Sequence, residues 1–67
     1  MLPYKTIIAI DRACGVPLYL QICNEFIKKI SAGAIASGLK LPGSRKLSEL
    51  LEVNRRTIIS AYEELEA

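Results

Sequence analysis

The first half of the chain contains one long stretch with helical hydrophobic spacing. From Pro17 onward, three- to four-residue spacing separates the apolar residues Leu18, Tyr19, Ile22, Cys23, Phe26, Ile27 and Ile30. Polar and charged residues, among them Lys28 and Lys29, fill most of the positions between them. This pattern predicts an amphipathic helix over residues 17–32, with the proline in its first turn. We expect the apolar side of this helix to organise the core and the two lysines to be solvated.

Two shorter stretches in the second half show the same spacing. Leu47, Leu50 and Leu51 predict a helix over residues 44–52, and Ile58, Ala61, Tyr62 and Leu65 predict another over residues 54–66. Three glycines and a proline mark residues 33–43 as a connector, which could include a very short strand at 39–41. The expected architecture is therefore mainly α, with three helices and with Tyr19 and Tyr62 in the core.

The first sixteen residues follow a different pattern. Residues 6–10 are short, rich in β-branched side chains and bounded by Asp11, which predicts a strand or extended arm within residues 1–16. No other segment is an obvious pairing partner for it. The arm could dock on a second chain or on a segment outside this one, or it could lie on the helices of residues 17–67.

Composition narrows the class of protein. The chain has 67 residues, of which 51% are hydrophobic and 24% charged, as expected for one small folded domain. Cys14 and Cys23 are too few for a zinc module and no histidine could complete one, so we expect reduced thiols, a cytoplasmic location and no metal. Cys23 is expected to be a core residue. No apolar run is long enough to cross a membrane.

The net charge of +2 is too small to indicate nucleic-acid binding, but the distribution of charge is informative. Arg55 and Arg56 begin the last predicted helix, where the helix dipole is positive, and three glutamates, at positions 63, 64 and 66, lie at its other end. Each misplaced charge costs about 0.3–1 kcal/mol. A DNA backbone would account for this arrangement, because helix N–H groups, the dipole and arginine all attract phosphate.

Two short helices joined by a tight turn, with Val53 in the turn and Arg, Thr and Ser side chains outward on the second helix, match a helix-turn-helix. At this point the sequence resembles a known family. The runs that carry the resemblance are Leu18-Tyr19-Leu20-Gln21-Ile22, residues 41–51 (LPGSRKLSELL) and residues 53–65 (VNRRTIISAYEEL). In this order they resemble the DNA-binding domain of GntR-family bacterial regulators, and in particular its MocR-type branch.

The resemblance implies a winged helix-turn-helix that contacts a double-stranded DNA operator. In such a domain Arg45 would hold a phosphate from the first motif helix, while Asn54, Arg55, Arg56 and Thr57 would contact phosphates and base edges. Ser60, also on the outward side, completes the candidate site. Most of these residues have an alternative role. Arg45 could pair with Glu49 one turn later, Arg55 and Arg56 could be ordinary solvated surface charges, and the Thr57 and Ser60 hydroxyls could bond back to their own helix.

The sequence departs from the family pattern in two places. Glu52 occupies the turn position where the family usually has glycine, so we expect a strained turn or a slightly longer helix. The β-hairpin wing should follow Ala67, so we expect the chain to be part of a longer protein, truncated before its wing. The resemblance further implies that the full-length protein is a homodimer and that any pyridoxal phosphate would bind only in a further C-terminal domain; we expect no cofactor in this chain.

These observations predict sequence-specific DNA binding by the N-terminal domain of a bacterial transcription regulator. The alternative is a small helical protein-interaction module that uses Ile7, Ile8 and Ile10 and does not bind DNA. We do not expect an enzyme, because the chain has no histidine, no paired carboxylates in a plausible pocket and no phosphate-binding glycine loop.

Overall fold

The computed structural model describes residues 3–35 and 41–66. Four helices follow one another: α1 at Tyr4–Ile7, α2 at Leu18–Ser31, α3 at Ser44–Leu51 and α4 at Arg55–Glu66. The described residues contain no strand, which confirms the mainly α architecture. The three predicted helices lie within a residue of their expected bounds. The strand considered at residues 39–41 falls largely outside the described residues.

The core forms where α2 and α3 pack against α4. Phe26 is fully buried at its centre, with ring centroids 6.0 Å from Tyr4 and 6.2 Å from Tyr62. Around it lie the buried side chains Ile8, Ile22, Ile35, Leu47, Leu51, Ile58 and Ala61. Val53, Tyr19 and Tyr62 pack against this cluster from its edge, so both tyrosines belong to the core as predicted.

Two residues of α2 differ in their environment. Cys23 is buried as predicted, and burial, together with the negative charge of Glu64, raises the pKa of its thiol. Ile27 was placed on the same apolar side but is 49% exposed. The row Ile22, Phe26 and Ile30, spaced by four, meets the core, and Ile27 lies about 100° around the helix from Phe26. The apolar side of α2 is therefore narrower than the spacing suggested.

The N-terminal arm is partly helical, which corrects the expectation of a fully extended segment. Tyr4–Ile7 forms one helical turn, and the extended backbone begins only at Ile8, with φ −97° and ψ 98°. The turn brings Tyr4 and Ile8, four residues apart, to the same side, and both are almost completely buried. Burial of these two side chains outweighs the strand preference of the β-branched run. The arm thus lies on the helices of its own domain.

Candidate nucleic-acid interface

The starts of α3 and α4 lie next to each other. Arg55, at the start of α4, donates a hydrogen bond from Nε to the Oγ of Ser44, the first residue of α3, over 3.1 Å. We call the first turns of the two helices together the basic face. Its members are Ser44, Arg45 and Lys46 of α3, with Asn54, Arg55, Arg56 and Thr57 at the start of α4.

Neither helix has an acidic residue in its first turn, and the two starts are capped differently. Gly43 precedes α3 and provides no side-chain cap, so the first N–H groups of α3 have no side-chain acceptor. Asn54 precedes α4, and its Oδ1 accepts a hydrogen bond from the Arg56 N–H over 2.8 Å. Asn54 is therefore a helix cap, which leaves its side-chain NH₂ as the group that could reach a ligand.

Arg45 points into solvent, with 84% of its side chain exposed. The alternative ion pair with Glu49 is present but long, since Nε of Arg45 lies 3.9 Å from Oε1 of Glu49. Such a pair on a helix surface contributes at most about 0.5 kcal/mol. Arg45 is thus held only weakly and can turn to an anion at low cost.

The remaining predicted site residues extend along α4. Arg56 is exposed, whereas Thr57 and Ser60 are half-buried beside the core residues Ile58 and Ala61. Within the described residues, neither hydroxyl makes a hydrogen bond back to its own helix, unlike that of Ser48, whose Oγ donates to the Arg45 carbonyl over 2.7 Å. Both hydroxyls keep their hydrogen-bonding capacity, and their contact with DNA stays a prediction.

The turn between α3 and α4 is strained at Glu52, as expected from the missing glycine. Glu52 has φ 57° and ψ 45°, the left-handed conformation, and the helix ends at Leu51 rather than running longer. Val53 donates its N–H to the Ser48 carbonyl over 3.0 Å, and Glu52 donates to Glu49. This is the Schellman ending that glycine favours, and a non-glycine residue there costs about 1–2 kcal/mol.

Tyr62 fixes the approach to α3. Its hydroxyl donates to the Pro42 carbonyl over 2.7 Å, and burial, with a smaller effect of Tyr4, raises the pKa of the phenol to about 12. Pro42 precedes the capping residue Gly43, so this hydrogen bond links the residues just before α3 to a side chain of α4. Tyr62 thereby helps to fix the first turn of α3 relative to α4, although it is not itself a residue of the basic face.

Three participants were missed by the sequence interpretation: Ser44, Lys5 and Arg12. Lys5 Nζ lies 2.8 Å from Glu52 Oε2, and Arg12 Nη2 donates to the Glu52 carbonyl over 2.8 Å. The hydrogen bond from Lys5 lowers the pKa of Glu52. The two residues of each contact lie 11 to 47 positions apart in the sequence, and only the tertiary packing brings them together. The glutamate at a glycine position was the one available signal.

Two further features, a metal site and a membrane-spanning helix, are absent from the part of the chain that the structure describes. Residues 3–35 and 41–66 contain no group of three or more His, Cys, Asp or Glu side chains that could hold a metal ion. Over the same residues, no helix has the length and apolarity needed to cross a bilayer.

Comparison with known proteins gives consistent matches. Residues 18–67 match the family model of bacterial regulatory proteins, gntR family. An HTH-type transcriptional regulator of Bacillus subtilis, YhdI, is 43% identical over 58 residues, which cover 87% of this chain and 12% of YhdI. The probable rhizopine catabolism regulatory protein MocR of Rhizobium meliloti is 33% identical over 58 residues, again 87% of this chain and 12% of the relative.

A shorter relative, the HTH-type transcriptional repressor YtrA of Bacillus subtilis, is 36% identical over 59 residues, covering 88% of this chain and 45% of YtrA. The chain therefore spans between about an eighth and a half of the length of these relatives. No solved structure gives a significant match.

Proposed function

Because the chain belongs to the gntR family of bacterial regulatory proteins, we infer that it binds a DNA operator in a sequence-specific manner and that the basic face makes the contact. The match covers all three predicted helices, including both motif helices. The observation that carries the proposal is the bond between Arg55 and Ser44, which joins the two helix starts into one cationic surface.

The chemistry of this surface suits a duplex. Helix N–H groups without a side-chain cap at α3 attract phosphate, and the dipoles of both helices add to the attraction. Arg45, Arg55 and Arg56 supply the positive charge, and all three are exposed. Arginine can clamp a phosphate or bond the O6 and N7 of guanine, and Thr57 or Ser60 can bond either a phosphate or a base.

The longer relatives support assigning this chain to the MocR-type branch of the family. MocR and YhdI are matched over the same short share of their length. We propose that the chain likewise serves as the DNA-reading part of a longer regulator, which binds its operator as a homodimer. The pyridoxal-phosphate expectation concerns that further domain, and we assign it no residue of this chain.

The test compares two double variants with the same charge loss. Arg55→Gln/Arg56→Gln removes the two cations that α4 contributes to the basic face, and Lys28→Gln/Lys29→Gln removes two adjacent cations from α2. Each protein is titrated, by fluorescence anisotropy, into a labelled duplex selected by the wild-type chain from a randomised pool and into a scrambled duplex.

We expect the arginine variant to lose at least tenfold in affinity and to lower the slope of log K against log salt by about two. The lysine variant should bind like the wild type. Equal losses in both variants would mean that net charge alone drives binding. Association with protein partners but with no duplex would favour the helical interaction module.

A further inference from the structure

The most strained backbone position of the described chain is held by two side chains from outside the family match. Glu52 has the one positive φ of a residue other than glycine in residues 3–35 and 41–66. Lys5 contacts its carboxylate and Arg12 its carbonyl, each over 2.8 Å. Both cations precede residue 18, where the family match begins. The strain and its support therefore come from different parts of the chain.

Arg12 reaches the turn from a backbone that is itself fixed. Gln21, on α2, accepts from the Asp11 N–H over 2.8 Å and donates to the Asp11 carbonyl over 2.9 Å. The same Nε2 group also donates to the Val16 carbonyl, and the Asp11 carboxylate accepts from the Ala13 N–H. Arg12 thus lies between two residues that are both tied down, so little backbone entropy remains to be lost when its guanidinium bonds Glu52.

Lys5 is fixed in a similar way. It lies on α1 between Tyr4 and Ile8, both buried in the core, and α1 packs against α3. Exposed ion pairs are weak when both side chains are free, but here one partner projects from an anchored helical turn. Lys5 and Arg12 together hold the residue that sets the angle at which α4 leaves α3.

We propose that Arg12, assisted by Lys5, is a positioning residue for DNA binding: it braces the left-handed Glu52 turn and so presets the direction of α4 without touching DNA. A glycine at this position would take the left-handed conformation unaided, so the brace compensates for the glutamate. The part of this inference that concerns DNA affinity rests on the proposed function, and the part that concerns the turn does not.

The test uses the full chain in four forms: wild type, Arg12→Gln, Glu52→Gly and the double variant. Lys28→Gln is the matched control, because it removes one exposed cation that does not contact the turn. The first measurement is amide hydrogen exchange at Val53, whose N–H closes the turn, with the amide of Phe26 as the reference for global unfolding.

We expect Arg12→Gln to speed exchange at Val53 about two- to fivefold, the range of an exposed charged contact, and to leave Phe26 unchanged. In the Glu52→Gly background the same substitution should have less than half of that effect. Equal acceleration at Val53 and Phe26, or equal acceleration in both backgrounds, would overturn the brace.

The second measurement is affinity for the selected duplex at several salt concentrations. Arg12→Gln should weaken binding about two- to fivefold with an unchanged salt slope, and this loss should largely disappear in the Glu52→Gly background. A slope lower by about one would instead place Arg12 on a phosphate and refute the positioning role. If the wild type bound no duplex, the proposed function would fail, while exchange at Val53 would still decide whether the brace exists.

Discussion

The chain contains two pairs of adjacent cations on helices, and they have opposite surroundings. Lys28 and Lys29 lie in the last turn of α2, where the dipole favours them, and both contact the Glu25 carboxylate, over 3.0 Å and 3.5 Å. Arg55 and Arg56 lie in the first turn of α4, where the dipole opposes them, and within the described residues neither forms an ion pair.

The difference shows that whether a charged side chain has a partner within the domain says more about its role than its charge does. The lysine pair is accounted for within the domain and stabilises it. The arginine pair is opposed by the dipole of its own helix and both side chains are exposed, so a ligand is the simplest explanation for it. Net charge could not separate the two, since each pair contributes equally to it.

The largest expected effect comes from truncating the core side chain at which α2, with the lysine pair, packs against α4, with the arginine pair. Phe26 lies between Tyr4 and Tyr62, and Phe26→Ala should lower the free energy of unfolding by about 3–5 kcal/mol. Because a domain this small has little stability in reserve, we expect it to lose cooperative unfolding in a thermal melt followed by circular dichroism. A clear transition with an almost unchanged midpoint would contradict the central place given to Phe26.

A smaller effect is expected behind the basic face. Tyr62→Phe removes the hydrogen bond to the Pro42 carbonyl and should cost about 0.5–1.5 kcal/mol in urea denaturation near neutral pH. The pKa of Tyr62 is raised, so the wild type should lose this contribution as the pH rises from about 10 towards about 12. The Phe variant should lack that alkaline loss, and identical alkaline profiles would refute the assignment.

Freeing the lysine pair tests the comparison directly. Glu25→Gln removes the carboxylate charge on which Lys28 and Lys29 converge and weakens the acceptor of the Ala9 N–H, at a cost of about 1 kcal/mol. Affinity for the selected duplex should stay unchanged, because the unpaired lysines would lie in the last turn of α2, outside the basic face. A gain in affinity as large as the loss caused by Arg55→Gln/Arg56→Gln would break the comparison.

The same variant has a pH signature. Burial raises the pKa of Glu25, but the hydrogen bonds from Lys28 and the Ala9 N–H, with the charges of both lysines, lower it to a net value below 4.5. A lowered carboxyl pKa stabilises the fold above the unfolded-state value, and this stabilisation is lost as the pH falls below 4.5. The melting midpoint of the wild type should therefore fall towards that of Glu25→Gln in acid.

The smallest effect is expected at Arg45. Glu49→Gln removes its weak intrahelical partner, 3.9 Å away, and should leave the melting midpoint unchanged. If Arg45 holds a phosphate, losing this competing carboxylate should raise duplex affinity about twofold, and Arg45→Gln should lower it. An increase that persists in the Arg45→Gln/Glu49→Gln double variant would show that Glu49 acts by general repulsion instead.

Periodicity was sufficient to predict the three main helices, because each carries several apolar residues at helical spacing. Periodicity failed in the N-terminal arm, where the burial of only two side chains decides the local backbone conformation. The run at 6–10 favours a strand locally, yet burial of Tyr4 and Ile8 selects a helical turn. The site residues of α3 and α4 were named from sequence, whereas the bonds of Arg55 to Ser44 and of Arg12 to Glu52 depend on packing that no local pattern encodes.

The cap on α4 affects how the domain would meet a duplex. The Asn54 side chain already holds the Arg56 N–H, and the Thr57 N–H bonds the Asn54 carbonyl over 3.0 Å. The first turn of this helix is therefore complete before any encounter, and no folding of it remains to be coupled to association. Binding through such a rigid end should carry the small heat-capacity change of surface docking rather than the large one of a segment that orders on its target.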